Sequence, residues 1–290
     1  MASVGDFCAD SELSEIISKL WEMDDNKCYP GRDYELNLQG YVTSTRREDD
    51  YANQPMFSWF DDSETGVFSY PTYKAFKNLL DNYSMDVSEE EVVTSEEWEE
   101  NNTFLDEIMK TEVMKEAHRF LVEKNAASED EDEFKQMLHD IWFKFYHRKG
   151  GRGDNSCSFE HVFVGEGRGD EMIGLHNWLQ FYLQEKAGNI DYHGYFRRNT
   201  VRDDEIPRLL AVQFDWRGQK GKPFCSCFVG SSPEFEIAVY TIGLLLDKDG
   251  KVDVKMGEYE VELVVHSFGK WKRKLGTAYI GAARFDPRNH

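Results

Sequence analysis

The spacing of apolar residues changes period once along this chain, and that change limits the folds open to it. Up to about residue 145 the spacing is helical. Leu13, Ile16, Ile17, Leu20 and Trp21 recur at i, i+3, i+4, i+7 and i+8, one face of a helix. Phe76, Leu79, Leu80 and Tyr83 repeat the pattern behind Pro71, a residue suited to a helix start. Thr94 with Glu97 forms a capping box ahead of a helical stretch that runs to about Lys124 and breaks near Lys110-Thr111. Phe134, Met137, Leu138, Ile141, Trp142 and Phe145 make an amphipathic stripe whose aromatics belong to a core. Beyond the charged, glycine-rich connection 148–154, alternation with period two takes over and predicts strands at 159–164, 209–216, 225–229, 259–266 and 275–280. Two helices interrupt them. One runs through Leu175, Trp178, Leu179, Tyr182 and Leu183 to a cap at Gly188. The other covers 234–246 behind Ser232-Pro233, a cap followed by proline at the first helical position. The expected class is α+β: a helix-rich region, 1–148, packed on a region with antiparallel sheets, 149–290. One continuous domain is the alternative division.

Charge follows the same boundary. The net charge is −21, yet residues 1–150 hold 35 acidic and 15 basic side chains while residues 151–290 hold 20 and 19. An acidic lobe repels a polyanion over a Debye length, about 8 Å at physiological salt. A nucleic-acid ligand would therefore need a local cationic patch, or divalent ions to screen the acidic side. The acidic run 129–133 reads most simply as a solvated helix start, with a calcium site as the alternative. Asp247-Lys248-Asp249-Gly250 resembles the start of a calcium-binding loop. However, Lys251 and Val252 stand where a ligand oxygen and a glycine are needed, so a turn is expected.

Other classes are excluded or disfavoured. The N-terminus has no basic segment followed by an apolar one, so no signal peptide is expected, and no apolar run approaches the ~20 residues that span a bilayer. Cys8, Cys28, Cys157, Cys225 and Cys227 are scattered and odd in number, with no partner pair to complete a zinc site. They read as free thiols of an intracellular protein, cytoplasmic or nuclear. There is no internal repeat.

The chemistry-bearing residues lie in the near-neutral half. His161 and His176 stand fifteen residues apart and are followed by Lys222-Pro223. Two imidazoles and an ammonium suffice for RNA transesterification. One ring takes the ribose 2′-OH proton, the other protonates the departing 5′-oxygen, and the cation steadies charge on phosphorus. His176 falls in the first turn of a predicted helix, where the macrodipole disfavours imidazolium. That asymmetry suggests His176 as base and His161 as acid. His193, His266, His118, His139 and His147 read as structural. No Asp/Glu/His arrangement matches a two-metal nuclease site, so a Lewis-acid ion is not expected.

The letters around these residues are specific: FEHVFVGE, GLHNWLQFYLQEK, DYHGY, KPFCSCFVGSSPEFEIAVYT and GTAY, with weaker stretches LLDNYSMDV, EVVTSEEWEENNTFLD and IWFKFY upstream. In that order they closely resemble the EndoU (XendoU-like) family of uridylate-specific endoribonucleases, over nearly the whole chain. The resemblance implies cleavage of single-stranded RNA at uridylates, with 2′,3′-cyclic phosphate and 5′-hydroxyl products. It promotes Lys222 from a surface lysine to the third member of the triad. It also implies stimulation by Mn²⁺, with Ca²⁺ as a further candidate. Apart from the resemblance, a monomer with no membrane attachment is expected. Glu160 and Glu166, flanking His161, are the weak candidates for an ion or a supporting hydrogen bond.

Thr277 and Tyr279 share one face of a predicted strand, where a hydroxyl can read a uracil edge and a ring can stack on it. Ser226, four residues after Lys222, is a third candidate for base reading. Lys270 and Lys272, in a run of four cations around Trp271, suit phosphate tracking. The competing reading is a catalytically silent module on the same scaffold that binds RNA or protein.

Overall fold

Helices form where the apolar stripes predict them. α1 (Ser11–Met23), α2 (Pro71–Leu79), α3 (Ser95–Met109), α4 (Glu112–Glu123) and α5 (Glu131–Trp142) build the N-terminal region. Residues 7–42, 51–63, 65–83, 93–148, 153–169, 171–199, 206–216, 219–269 and 271–281 are described in this computed structural model. The break at Lys110-Thr111 is real, with Thr111 accepting from Met114 N to cap α4, and the Thr94–Glu97 capping box opens α3. The acidic run is the start of α5. Asp130 caps it, and Glu131, Asp132 and Glu133 occupy the first turn, where the macrodipole favours anions. The region is not purely helical. A short hairpin of β1 (Tyr34–Leu36) and β2 (Phe57–Phe60) sits between α1 and α2. Strands of three and four residues are too short to establish a period.

The predicted strand at 159–164 is absent. Glu160–Val164 instead forms a π-helical turn, closed by His161 N to Cys157 O at 3.1 Å and Gly165 N to Glu160 O at 2.7 Å. Alternation misled because this segment is buried on every side, Glu160 and His161 included. After the hairpin β3 (Glu166–Arg168) and β4 (Glu171–Ile173) comes α6 (Trp178–Lys186), capped by Asn177, so its helix begins three residues later than the apolar spacing suggests.

β5 (Ile190–Asn199), β6 (Leu209–Trp216) and β7 (Gln219–Phe228) form an antiparallel sheet in that order. Strand β5, which carries His193, had no clear sequence signal. Then come α7 (Pro233–Leu245) and a second antiparallel sheet, β8 (Gly250–Met256), β9 (Tyr259–Phe268) and β10 (Trp271–Ile280), ordered β10-β9-β8. Residues 247–250 make a turn, with Asp247 in the left-handed region, and β8 begins there. Among the described residues no helix is long and apolar enough to cross a membrane.

Helix α7 is nearly apolar all round and is buried along its length, as such a helix must be. It packs against α1, α2 and α4 on one side and β9 and β10 on the other. Trp142 Nε1 on α5 donates to Thr241 Oγ1 on α7 at 3.0 Å. Phe159 is a second junction. Its ring lies 5.5 Å from Phe76 of α2, 5.9 Å from Phe104 of α3 and 5.1 Å from Phe163 of the π-turn. Buried residues from both halves of the chain form one continuous core.

Because Phe159 joins the two regions, Phe159→Ala should cost about 3–5 kcal/mol, the usual loss for a buried aromatic. Urea unfolding followed by tryptophan fluorescence and far-UV circular dichroism should remain a single coincident transition. A first step that unfolds one half alone would show the regions to be independent.

Candidate active site

The two histidines sit on two irregular segments that the backbone zips together. Leu175 N donates to His161 O at 3.0 Å, and His176 N donates to Val162 O at 2.6 Å. Gly174, between β4 and this contact, has φ +69°, and a Cβ there would overlap the His161 carbonyl. Only glycine allows so close an approach. His176 lies just before the Asn177 cap rather than inside the first turn of α6, but still at the helix's positive end.

Each imidazole has its Nδ1 committed. His176 Nδ1 donates to the Ser226 carbonyl at 2.9 Å, leaving Nε2 as the acceptor. Lys222 Nζ stands 3.1 Å from that Nε2 and also donates to the Gly174 carbonyl. Burial, and then the Lys222 charge, push the His176 pKa well below its ordinary value. His176 is therefore a neutral ring whose Nε2 lone pair faces Lys222, the state of a general base. His161 Nδ1 pairs with Glu166 Oε2. Burial holds the His161 pKa below its ordinary value, with the Arg148 and Lys222 charges adding to it, while the Glu166 hydrogen bond and charge work against that fall. That partner fixes the ring and gives it a proton-holding support that His176 lacks, which suits a general acid. Burial alone would keep Glu166 protonated, but the His161 hydrogen bond and charge, with Arg148 behind them, hold its pKa below the ordinary value. Burial also depresses the Lys222 pKa.

Arg148 was not singled out by sequence, since no period or spacing marks a residue at the edge of a glycine-rich connection. Its Nε lies 3.5 Å from Glu166 Oε2, and its guanidinium donates to Tyr146 Oη at 2.6 Å, Ser156 Oγ at 3.0 Å and the Gly276 carbonyl at 2.9 Å. It thus ties the His161–Glu166 pair to β10, next to Thr277.

The candidate base readers converge on the same place. The Tyr279 ring stacks on His176, with centroids 4.5 Å apart and planes within 12°. Thr277 is half-buried two residues earlier on β10, in register with His266. Ser226 is buried on β7, with its hydroxyl turned to the Ile280 carbonyl, so it joins β7 to β10 while its own carbonyl orients His176. Lys270 lies outside the described residues. Lys272 falls within β10, but its side chain lies outside them too. Lys274, at the same end of the strand, sits 5.6 Å from the Tyr146 ring centre.

Glu160 and Glu166 do not fit a divalent ion. Glu166 Oε2 is taken by His161 and faces Arg148, and Glu160 is fully buried. Among the described residues no group of three or more His, Cys, Asp or Glu is arranged to hold a metal.

Comparison with known proteins places this geometry in context. A family model described as "Endoribonuclease XendoU" matches residues 12–280. The chain is 48 % identical over 276 residues to the poly(U)-specific endoribonuclease-A of Xenopus laevis, covering 92 % of each chain. It is 46 % identical over 275 residues to uridylate-specific endoribonuclease B of Danio rerio, covering 93 % of this chain and 95 % of that one. Among solved structures, one titled as XendoU, "a splicing independent snoRNA processing endoribonuclease", superposes with a TM-score of 0.83 at 46 % identity, over 96 % of this chain and 99 % of the other.

The hydrogen bonds fix an expectation for histidine NMR. His176 should appear as the neutral Nδ1–H tautomer at neutral pH and resist protonation well below the ordinary imidazole range. Glu166→Gln should move the His161 titration to still lower pH, because the lost carboxylate was the group raising it. A His161 titration that rises or stays fixed in Glu166→Gln would contradict the assignment of that pair.

Proposed function

This chain belongs to the XendoU endoribonuclease family, and we propose that it cleaves single-stranded RNA at uridylates by attack of the ribose 2′-OH on the adjacent phosphodiester. The observation that carries this reading is the opposite disposition of two buried imidazoles. His176 Nε2 accepts from the Lys222 ammonium, whereas His161 leans on a carboxylate. In the proposed step His176 Nε2 takes the 2′-OH proton as the 2′-oxygen bonds to phosphorus. The bond from phosphorus to the 5′-oxygen breaks, and His161 Nε2 gives its proton to that oxygen. The products are a 2′,3′-cyclic phosphate and a 5′-hydroxyl, and the rings reset through solvent. Lys222 leaves His176 for the non-bridging oxygens, where a preorganised charge acts on the developing anion.

Uridine selection is assigned to Thr277 and Tyr279, with Ser226 holding the strand that carries them against β7. Lys270 and Lys272 are assigned to phosphate contacts that position the strand without reading it. A stimulating Mn²⁺ or Ca²⁺ is placed on the acidic surface, where it lessens repulsion between RNA and a chain of net charge −21. The enzyme is taken to act as a monomer in a reducing, intracellular setting, in keeping with five free thiols.

His161→Ala and His176→Ala should each lower the cleavage rate by about 10²–10⁴, the usual worth of one general acid or base. Lys222→Ala should lower it by about 10²–10³. A 5′-phosphorothiolate substrate, whose leaving group needs no proton, should restore His161→Ala but not His176→Ala. Restoration of His176→Ala instead would reverse the roles. Full activity in both folded variants, or 5′-phosphate ends on the products, would overturn the mechanism. No cleavage of uridine-containing RNA by the parent protein would favour a silent binding module.

A further inference from the structure

Three carboxylates that the mechanism does not use meet behind the active site. Glu234 and Glu236, in the first turn of α7, and Asp24, at the end of α1, are each at most 1 % exposed. The side chains and backbone that donate to them are neutral. Asn26 Nδ2 donates to Glu234 Oε1 at 2.6 Å and Ser232 N to Asp24 Oδ2 at 3.1 Å. Glu236 Oε1 accepts from Ser231 Oγ at 2.8 Å and from Asn177 Nδ2 at 3.2 Å. Asp24 Oδ1, Glu234 Oε2 and Glu236 Oε2 have no hydrogen-bond partner.

Asn177 connects this cluster to both histidines. It directly follows His176, and its Oδ1 accepts from Leu179 N and Gln180 N, both at 3.0 Å, to cap α6. Gln180 Nε2 in turn donates to Val164 O at 3.2 Å, the last residue of the turn that carries His161. The Asn177 amide, held by Glu236, thus caps the helix whose Gln180 reaches the turn that carries His161.

We propose that Glu236 is a positioning residue for RNA cleavage, holding Asn177 and through it the facing arrangement of His161 and His176. This rests on the reaction read above. The groups facing Glu236 explain why the acid keeps its proton. They are Asp24 from α1, Asn177 at the start of α6, Cys227 from β7, and Ser231 and Tyr240 before and along α7, and none is a cation. Glu234 lies beside Asp24, Tyr73 of α2 faces both of them, and the Lys27 charge acts on Asp24. Burial, with the Asp24 charge adding to it, pushes Glu236 up to about 8, and burial with Glu234 pushes Asp24 to about 7. An uncompensated anion here gains by moving toward water, and that movement breaks both bonds on Oε1.

The sign of the stability effect follows. Folding raises the Glu236 pKa, so its contribution is fully present below the ordinary carboxyl range and is lost as pH rises through about 8. Glu236→Gln mimics the protonated acid, keeping the accepting oxygen without the titration.

The test is steady-state cleavage of a uridine-containing oligonucleotide from pH 5.5 to 9.5, with melting curves at each pH. Glu236→Ala should lower kcat on the order of 10–100-fold with little change in KM, as a misplaced catalytic group does. Glu236→Gln should recover most of that kcat, remove the fall in rate near pH 8 and flatten the alkaline decline in Tm. Should Glu236→Ala fail to fold, Asn177→Ser keeps a capping oxygen but loses the amide that reaches Glu236, and it should show the same kcat loss. An unchanged alkaline fall in Glu236→Gln, or unchanged kcat in Glu236→Ala or Asn177→Ser, overturns the inference and leaves the reaction standing. A parent protein that cleaves no RNA overturns both.

Discussion

Two backbone hydrogen bonds, Leu175 N to His161 O and His176 N to Val162 O, hold the chemistry of this protein together. They join a π-helical turn to the residues just before a helix, neither of which has a regular ladder of its own. Everything around them serves to keep that contact short. Gly174 removes a side chain that would collide with the His161 carbonyl, and Asn177 ends the irregular stretch by capping α6. Phe159 and Phe163 anchor the turn from behind in the aromatic core. A histidine pair mounted on irregular backbone gains its precision from this surrounding core, as supporting packing must supply the rigidity that loops lack.

Electrostatics then divides the labour between two similar rings. Both are buried, and burial alone would leave both neutral. Both pKa values stay below the ordinary imidazole range, but that of His176 falls well below it, because a carboxylate opposes burial at His161 whereas Lys222 adds to burial at His176. Such a split between neighbouring titratable groups is how a site assigns acid and base at one pH. The heavy negative charge of the chain sits elsewhere. Part of it lies at helix starts, as in Glu96, Glu97, Glu131, Asp132 and Glu133, where it complements the macrodipole. The acidic region packs on the sheets through α7.

Much of this was legible in the sequence, and the exceptions share a cause. Amphipathic stripes located α1, α2 and α5, because each has one wet face, the Thr94–Glu97 capping box and the break at Lys110-Thr111 located α3 and α4, and 209–216 matched β6 to the residue. The stretch 159–164 was misread as a strand because it has no wet face, so alternation of residue types carried no information about direction. His176 was placed a turn too deep for a related reason: Leu175 is apolar and buried, but its backbone is left-handed, which no spacing rule detects. The histidines and Lys222 stood out by type and by the letters around them. Arg148, Asn177 and Glu236 did not, because their roles depend on contacts such as Asn177 to Glu236, 59 residues apart. β5 was hidden by its irregular register around Gly194.

The central claim is that the ribose 2′-oxygen of a uridylate is the nucleophile and that His176 activates it. A short RNA with a single uridine, compared with the same strand carrying 2′-deoxyuridine at that position, tests this directly. The account predicts that the deoxy strand binds comparably and is not cut, while the ribose strand ends in a cyclic phosphate. Cleavage of the deoxy strand at that position would mean that water or another group attacks phosphorus, and the histidine mechanism would be wrong.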